Sequence, residues 1–321
     1  MSSTTVTRSG TPATARRPAT KTHKQSRLHR RSAAMGWMFA SPALLVVAAV
    51  MIFPIIFSVI MSISNVDVTG TGIHLSGITG ANYSVLFHAE RWRHAVYFTL
   101  VYTLITVTVE IILGTLIALV LERLEVARGW MMALLLLPWA MITVISADLW
   151  GYIYNGVYGV LNYLMHPFLG HDLNVLGSAV PATTAMAVAD IWKTTPFVAI
   201  IVVAGLVMLP SDMVEAARID GASAWTIFWR IRLPLLRPTI ALAVMFRVLQ
   251  AFGLFDLPFV LTNGGPGTST ESLAVLGYRV LFTDLKFGPG AAVATSTAAI
   301  VLVACLALLK VFKTQVGQEE I

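Results

Sequence analysis

The sequence has few charged residues and almost no cysteine, and both shortages limit what the chain can be. Only 12% of its 321 residues are Asp, Glu, Lys or Arg. Hydrophobic residues make up 57%, above the ~45–50% of soluble globular domains, and the mean hydropathy is +0.78. This composition predicts a polytopic membrane protein. The single cysteine, Cys305, excludes an internal disulfide and any cysteine-based metal site.

Motifs for nucleotide binding and catalysis are also absent from the sequence. No Gly-x-x-x-x-Gly-Lys-Ser/Thr loop occurs, so ATP must be hydrolysed by another chain if the protein depends on ATP. An intramembrane enzyme would need a nucleophile with a base, or a metal cluster, and the seven histidines have no ligand-like spacing. We therefore expect a chain that is not an enzyme and that binds no metal or cofactor itself.

The positive charge of the chain lies mainly beside its apolar runs. The formal net charge is +6 and the pI is about 9.6, values that also occur in nucleic-acid-binding proteins, but the position of the charges argues against that partner. Residues 1–34 hold eight Lys or Arg among Ser, Thr, Ala and Pro, without apolar periodicity. They predict a disordered basic cytoplasmic tail that orients the protein at the lipid bilayer.

Six apolar runs are each near or above the ~20 residues that a membrane-spanning helix needs. No short apolar core with a small-residue processing site precedes them, so we expect the first run to remain as a span. The pattern predicts an all-α polytopic fold, with six transmembrane helices in a domain of residues 35–321. The predicted spans are 37–60, 95–121, 130–152, 182–209, 239–261 and 290–312.

The distribution of Lys and Arg predicts the orientation of these spans. With the N-terminus in the cytoplasm, the cytoplasmic segments hold sixteen basic residues and the outer loops hold four. Such an excess is typical of the cytoplasmic side of a membrane protein. Both termini, and the polar loop at residues 210–238, are therefore predicted to be cytoplasmic.

Residues 215–234 form a polar island between two long apolar segments. Ser211 offers a helix start and Gly221 a natural helix stop. Ser223 can then cap a second short helix, which we expect to end at Pro234. On composition alone, the island could equally be a membrane-surface connector whose tryptophans lie in the headgroup layer.

The spacing of residues in this island resembles the cytoplasmic coupling loop of permease subunits of bacterial ABC importers. A Glu-Ala-Ala triplet is followed by Gly six positions after the Glu, by Ile ten positions later, and by Leu-Pro. The resemblance implies the type I ABC importer permease fold, with a coupling helix that docks in a cleft of the ATPase subunit, where short side chains permit close approach. The coupling residues that it implies are Glu215, Ala216, Ala217, Asp220, Gly221, Ile231, Leu233 and Pro234.

A second motif narrows the family. The run Leu-Thr-Asn-Gly-Gly-Pro-Gly at 261–267, followed by Thr-Glu-Ser-Leu at 270–273, is a span end with a Gly-Pro turn. It resembles the segment after the fifth core span in sugar permeases of the maltose and glycerol-phosphate uptake type, in the partner that supplies the maltose-side half of the heterodimer. The resemblance covers residues 37–312.

Polar residues inside the spans are candidates for a binding site, because a charge at mid-membrane costs on the order of 3 kcal/mol or more unless it faces protein or water. Asp190 and Lys193 lie three residues apart on one helix and could simply neutralise each other. Arg247 and Asp256 are too far apart along one helix to pair. The candidates are Glu110, Asp148, Asp190, Lys193, Arg247, Gln250 and Asp256.

Two stretches, 137–143 and 190–197, resemble the segments that line the sugar site of the maltose-type permease. On the fifth span, Arg247, Ala251 and Leu254 occupy positions where that family has small polar residues. A cation at this place indicates an oxygen-rich or acidic sugar, or an arginine paired with an acid on a neighbouring helix. The two tryptophans could instead be packing residues. The predicted substrate-binding residues are Trp139, Thr143, Asp190, Trp192, Thr194, Phe197, Arg247 and Gln250.

The leading hypothesis is therefore a permease subunit that imports an oligosaccharide, disaccharide or related polyol by alternating access. The resemblance implies as partners a second homologous permease, an ABC ATPase dimer that binds ATP and Mg²⁺, and an extracytoplasmic sugar-binding protein. The alternative is an ion-coupled secondary transporter, motivated by the intramembrane Asp, Lys and Arg residues. Such carriers are typically built from two repeated halves with interrupted helices, and no such repeat is visible in the sequence.

Overall fold

The computed structural model describes residues 22–70, 72–124 and 127–316, with side chains from residue 35 to residue 312. The chain divides into two compact units, Met1–Ile56 and Phe57–Ile321. Of the predicted basic tail, residues 1–21 lie outside the described part, whereas the backbone from Thr22 onward is helical.

The described part of the first unit is a single helix. Helix α1 runs over Thr22–Ser62, so its last turns belong to the second unit. Its segment Met35–Ser62 has a mean hydropathy of 2.9 over its most apolar window. This segment is long enough to cross a membrane, as the sequence predicts for the first span.

The second unit begins with a β-hairpin, which the predicted all-α fold class did not include. Strands β1 (Ser64–Thr69) and β2 (Gly72–Ile78) pair in antiparallel register, with Asp67 opposite His74. The amide of Asn82 donates to the backbone carbonyls of Ser62 and Ser64 at 3.0 and 2.9 Å. These bonds attach the hairpin to the helix that follows it.

Helices form the rest of the second unit, which confirms the mostly helical fold class. Five described helices are long and apolar enough to span a membrane, and a bent pair makes up a sixth. After the hairpin the α-helices are α2 (Ala81–His88), α3 (Glu90–Glu122), α4 (Arg128–Ala140), α5 (Thr143–Tyr154), α6 (Val160–Leu169), α7 (Ala179–Val207), α8 (Ser211–Ile219), α9 (Ala224–Ile227), α10 (Leu233–Phe252), α11 (Leu273–Tyr278) and α12 (Phe287–Val316).

The predicted third span, 130–152, is not one straight helix. Helices α4 and α5 meet at an angle of 88°. Met141, between them, has an extended backbone with φ −66° and ψ 140°. Pro138 lies in the last turn of α4 and cannot donate the hydrogen bond that would join this turn to the preceding one. The helix is thus weakened just before the bend.

The predicted bounds of the fifth span, 239–261, are wrong at both ends. Helix α10 begins at Leu233 and continues a helical path that starts at Ala224. It ends at Phe252, before Gly253, and Pro258 then opens a separate π-helical turn, Pro258–Thr262. The apolar run outlasts the helix because residues after Gly253 fold into a separate short helical segment, in which the apolar side chains of Leu257 and Leu261 are buried.

Small residues let the central helices approach one another closely. A Cβ atom on Gly114 of α3 would lie 2.6 Å from Cγ1 of Val198 on α7. A Cβ atom on Gly205 of α7 would lie 2.6 Å from the hydroxyl oxygen of Thr239 on α10. Glycine at such crossings is typical of membrane helix packing. Helices α3, α7 and α10 consequently form a closely packed core. This core positions the loop after α7 and the polar residues that lie between the three helices.

Candidate functional site

The loop after α7 contains the first candidate site. Helix α8 begins at Ser211, after Pro210 in an extended conformation, as the sequence predicts. At its other end, Gly221 has φ +79°. The N–H of Gly221 donates to the carbonyl of Arg218 at 3.1 Å, and the N–H of Ala222 donates to that of Ala217 at 2.9 Å. This pair of bonds is a Schellman motif, which favours glycine at that position.

The second helix of the loop starts as predicted but does not end where predicted. Ser223 caps it, since its Oγ accepts a hydrogen bond from the N–H of Thr226 at 3.2 Å. The expectation that Pro234 ends the helix is wrong. The N–H of Leu233 donates to the carbonyl of Phe228, five residues earlier, in a π-helical turn. This wider turn precedes the proline, which then lies in the first turn of α10, where its missing N–H costs little.

The eight predicted coupling residues fall into two groups. Ile231, Leu233 and Pro234 are half-buried and lie on the helical path into α10. The other five belong to α8 and its C-terminal turn, and of these only Ala217 is half-buried; the exposed ones are Glu215, Ala216, Asp220 and Gly221. The first group therefore connects the loop to a span, and the second presents a surface.

An ion pair that the sequence analysis did not identify connects the loop to α3. Nη1 of Arg232 lies 2.7 Å from Oε2 of Glu122, at the C-terminal end of α3. The two residues are 110 positions apart in the chain, so no local pattern relates them. The loop is thereby attached to two helices, to α10 through the chain and to α3 through this ion pair.

The second candidate site is a polar network buried between α3, α7 and α10. Arg247 donates from Nε to Oε2 of Glu110 at 2.5 Å and from Nη2 to Oε1 at 2.7 Å. Its Nη2 also lies 3.6 Å from Oδ2 of Asp190, and its Nη1 donates to Oε1 of Gln250 at 2.8 Å. The hydroxyl of Thr194 lies 2.7 Å from Oε1 of Glu110. Both side chains of the Arg247–Glu110 pair are almost fully buried.

The network brings together four of the predicted substrate-binding residues, namely Asp190, Thr194, Arg247 and Gln250. Glu110, a candidate only as a polar residue in a span, is the acid that holds Arg247. Tyr102 was missed entirely, and its hydroxyl lies 3.4 Å from Oδ2 of Asp190. In the sequence, Tyr102 and Glu110 lie about two helical turns apart on one predicted span. This spacing places both side chains on one side of the helix and could have identified Tyr102.

The proposed neutralisation of Asp190 by Lys193 is not what the structure has. Among the described residues, the ion-pair partner of Asp190 is Arg247, and Lys193 forms no ion pair. Lys193 is half-buried, close enough to the carboxylates of Asp190 and Asp256 for their charges to act on it.

The predicted aromatic residues lie in two pairs outside this network. Trp139 stacks on Phe197, with ring centroids 5.5 Å apart and planes 13° apart. Trp192 contacts Trp150 edge-on at 5.6 Å. Trp139 is 40% exposed and Trp192 is 39% exposed. Packing therefore accounts for only part of each indole surface.

The remaining predicted positions are divided between the interior and the surface. Thr143 is half-buried at the start of α5, just after the bend, and makes no side-chain hydrogen bond to the network within the described residues. Ala251 is buried and Leu254 half-buried. Gln250 is exposed, as are Asp148 and Asp256. These exposed polar residues lie on or next to helices that could span a membrane, and Gln250 also contacts the network through Arg247.

A third cluster holds the loop that carries the Gly-Pro motif. Glu271 is fully buried, and Arg91 donates to both of its carboxylate oxygens at 2.7 Å. Arg279 donates to Oε1 of Glu271 at 2.8 Å and to the backbone carbonyl of Asn263 at 2.5 Å. Asn263 has φ +46°, which explains why the motif places asparagine there. The Gly-Pro motif is visible in the sequence, but these contacts of Glu271 with Arg91 and Arg279, the Glu271 clamp, are not.

The sequence of the chain is similar to those of a known protein family. The family model described as "Binding-protein-dependent transport system inner membrane component" matches residues 72–315. The trehalose/maltose transport system permease protein MalF of Thermococcus litoralis is 36% identical over 287 residues, covering 89% of this chain and 96% of the relative. The trehalose transport system permease protein SugA of Mycobacterium tuberculosis is 32% identical over 278 residues, covering 87% and 88%.

Two further similarities extend this result. The sulfoquinovosyl glycerol transport system permease protein SmoG of Agrobacterium fabrum is 31% identical over 279 residues, covering 87% of this chain and 90% of the relative. A chain in the crystal structure of a bacterial ABC transporter involved in the import of the acidic polysaccharide alginate superposes with a TM-score of 0.78. It is 19% identical, with 90% of this chain and 99% of that chain covered. At this identity, the match establishes the fold alone.

Proposed function

The chain belongs to the binding-protein-dependent transport system inner membrane component family, and from this premise we propose how its residues serve transport. It is the permease subunit of an ABC sugar importer, a multi-pass inner-membrane protein with the type I importer permease fold. ATP hydrolysis belongs to a separate ATPase subunit, and the permease binds no cofactor itself. An ion-coupled carrier, the alternative from the sequence, does not fit this family.

The exposed surface of α8 is the proposed docking site for the ATPase. Glu215, Ala216 and Asp220 lie on a short helix whose end is fixed by Gly221. The short side chain of Ala216 allows close approach to a cleft, and the carboxylates offer acceptors for basic partners. Ile231, Leu233 and Pro234 transmit the movement, because they lie in the continuous helical path to α10.

The proposed sugar site is the exposed face beside the buried network. The indoles of Trp139 and Trp192 supply surfaces for stacking on the C–H faces of a sugar. Gln250 is exposed, and its Oε1 is held by Arg247, which leaves its NH₂ group free to donate to a hydroxyl. Asp190, Thr194 and Arg247 lie behind this face and fix its geometry. Two further residues complete the site. Thr143 begins α5, and Phe197 of α7 stacks on Trp139 of α4.

Closure of this site requires a second chain. Asp148, Gln250 and Asp256 are exposed on helices or at helix ends in the membrane-spanning part. Polar groups within a membrane are stable in contact with protein or water but not in contact with lipid. We propose that a second, homologous permease covers the face and leaves an aqueous cavity between the two subunits. The binding protein would deliver sugar to the outer end of the cavity, with both termini and α8 in the cytoplasm.

One observation supports the coupling proposal: helix α8, which ends in a Schellman motif, presents a carboxylate and small residues outward, and the helical path that follows it from Ala224 continues into a span. Replacing residues 212–229 by a Gly/Ser linker of similar span tests it. The free-energy cost of loop closure depends only weakly on loop length, so a linker of similar span should permit normal insertion of all spans but no sugar accumulation. Insertion is measured by cysteine accessibility, with Cys305 first replaced, and uptake with labelled sugar. Sustained accumulation by an inserted linker variant would contradict ATP-driven coupling through this loop.

A further inference from the structure

A cavity of about 620 Å³ opens between the C-terminal end of α3 and the loop of α8 and α9. Its floor is apolar and includes Leu116, Leu119 and Phe228. Arg123 and Arg218 also line it. The lining of the cavity therefore combines hydrocarbon surface with guanidinium groups.

The cavity carries positive charge that the described protein residues do not neutralise. Glu122 and Arg232 also line it, but they pair with each other at 2.7 Å. Within the described residues, the side chains of Arg123 and Arg218 have no hydrogen bond or ion pair, and both are exposed. Two guanidinium groups are therefore available to an anion at this place.

The position of the cavity identifies the kind of anion. Leu116 and Leu119 belong to the last turns of a membrane-spanning helix, and Arg123 directly follows it. Trp225, which also lines the cavity, is 72% exposed. Arginine and tryptophan at the end of a span are typical of the headgroup layer. The leucines of the floor offer no donor to a free phosphate, but they fit an acyl chain.

Of the proposed ATPase surface, Ala216 and Asp220 lie on the side of α8 away from Arg218, whereas Glu215, three residues before Arg218, lines a neighbouring cavity with it. Arg218 is four residues after Val214, so the two share one side of the helix, and Val214 is buried. Arg218 also lines a neighbouring cavity together with Glu122. It thus faces α3, and an occupant of the cavity would contact the coupling loop from the membrane side.

We propose that this cavity binds the headgroup of an anionic phospholipid, with the phosphate between Arg123 and Arg218 and an acyl chain on Leu116 and Leu119. The lipid forms part of the support for the coupling loop. This site goes beyond the proposed transport function and rests on the proposed orientation only in the choice of the cytoplasmic leaflet.

Quenching of Trp225 fluorescence tests the proposal directly. The importer complex, purified through this chain, is placed in nanodiscs containing brominated phosphatidylglycerol or, at the same mole fraction, brominated phosphatidylcholine. The contribution of Trp225 is the difference between the natural chain and Trp225→Phe. We expect preferential quenching by the anionic lipid, weakened roughly fivefold in apparent affinity for each arginine replaced in Arg123→Gln and Arg218→Gln.

Arg230→Gln is the matched control, because Arg230 is exposed in the same loop but does not line the cavity. It should retain the preference. Equal quenching by the two lipids, no quenching by either, or a preference that survives the double arginine variant would each overturn the proposal. Loss of the preference on addition of inorganic phosphate would assign the site to a free anion instead. Arg123→Gln alone lies outside the coupling loop, so it separates lipid binding from any defect in ATPase docking.

Discussion

Arg247 on α10 and Glu110 on α3 form a two-bond ion pair, although 137 residues separate them in the chain. The arginine side chain is 3% exposed and the glutamate side chain is fully buried. Arg247 therefore does not project freely toward a substrate; it joins two spans and donates a hydrogen bond to Gln250, at the edge of the proposed sugar face. Of the two explanations that the sequence offered for this cation, pairing with an acid on a neighbouring helix is the one that the structure has.

Glu110→Gln should destabilise the protein severely, because it leaves the charge of Arg247 buried and poorly compensated. Breaking a buried pair from one side costs on the order of 3–5 kcal/mol. Replacing both partners, with Glu110→Gln and Arg247→Met, removes the stranded charge and should recover much of this loss. The measurement is the melting temperature of the detergent-solubilised chain. Asp148→Asn, an exposed acid on α5, is the control and should change it little. Additive effects in the double variant would mean that the pair is energetically unimportant.

Trp192→Ala and Trp139→Ala should reduce sugar transport while the ATPase still co-purifies. Each removes an indole that is about two-fifths exposed on the proposed sugar face. We expect about a tenfold loss of apparent affinity for sugar, the size typical of one aromatic anchor. Uptake is measured with labelled sugar at several concentrations. Trp130→Ala is the control, because Trp130 is exposed outside that face. Unchanged uptake in both variants would remove these residues from the site.

Gly221→Pro should abolish ATPase docking while leaving the spans inserted. Proline is restricted to φ near about −65°, and Gly221 has φ +79°. Gly221→Ala should have a milder effect, since a left-handed non-glycine residue costs roughly 1–2 kcal/mol. Gly253→Ala is the matched control, because Gly253 also follows a helix but has φ −83°. Co-purification of the ATPase is the measurement. If a normal amount of ATPase co-purified with Gly221→Pro, the conformation of this turn would not be required for docking.

The helix stop at Gly221 and the cap at Ser223 were predictable from the sequence, because each depends on residues within one or two turns. The path through Pro234 was not. A proline that ends an isolated helix is tolerated here because a π-helical turn precedes it, and that turn belongs to a helix fixed by packing in the core. Local propensity is overridden where tertiary contacts decide the backbone.

The candidate sites, too, were predictable from the sequence only in part. The sequence identified which polar residues lie in spans, since their cost in a membrane makes them conspicuous. It did not identify which acid meets Arg247, because the choice between Glu110 and Asp190 depends on how α3, α7 and α10 cross. Close approach at Gly114 and Gly205 sets those crossings. Only the three-dimensional structure shows which helix packs against each of these glycines.

Glu271→Gln should loosen the loop of residues 262–272, because one carboxylate there accepts hydrogen bonds from two arginines on different elements. Arg91 begins α3, Arg279 follows α11, and both donate to Glu271 at 2.7–2.8 Å. The amide keeps the shape of the side chain but loses its charge, and a hydrogen bond to a charged group contributes about 1.5–3 kcal/mol. Because the side chain of Arg91 is 40% exposed, water compensates part of the loss, and we expect the lower end of this range.

Limited proteolysis of residues 262–272 in the intact complex is the direct readout of this loosening. Cleavage should become faster in Glu271→Gln, because Arg279 also bonds the backbone carbonyl of Asn263 and its position depends on Glu271. Asp284→Asn tests whether loss of any nearby acid suffices; Asp284 is exposed and lies outside the clamp. A lower melting temperature without faster cleavage would place the effect of Glu271 in the attachment of α3 rather than in the loop. Equal cleavage and equal melting would show that the hydrogen bonds of Glu271 do not hold this loop in place.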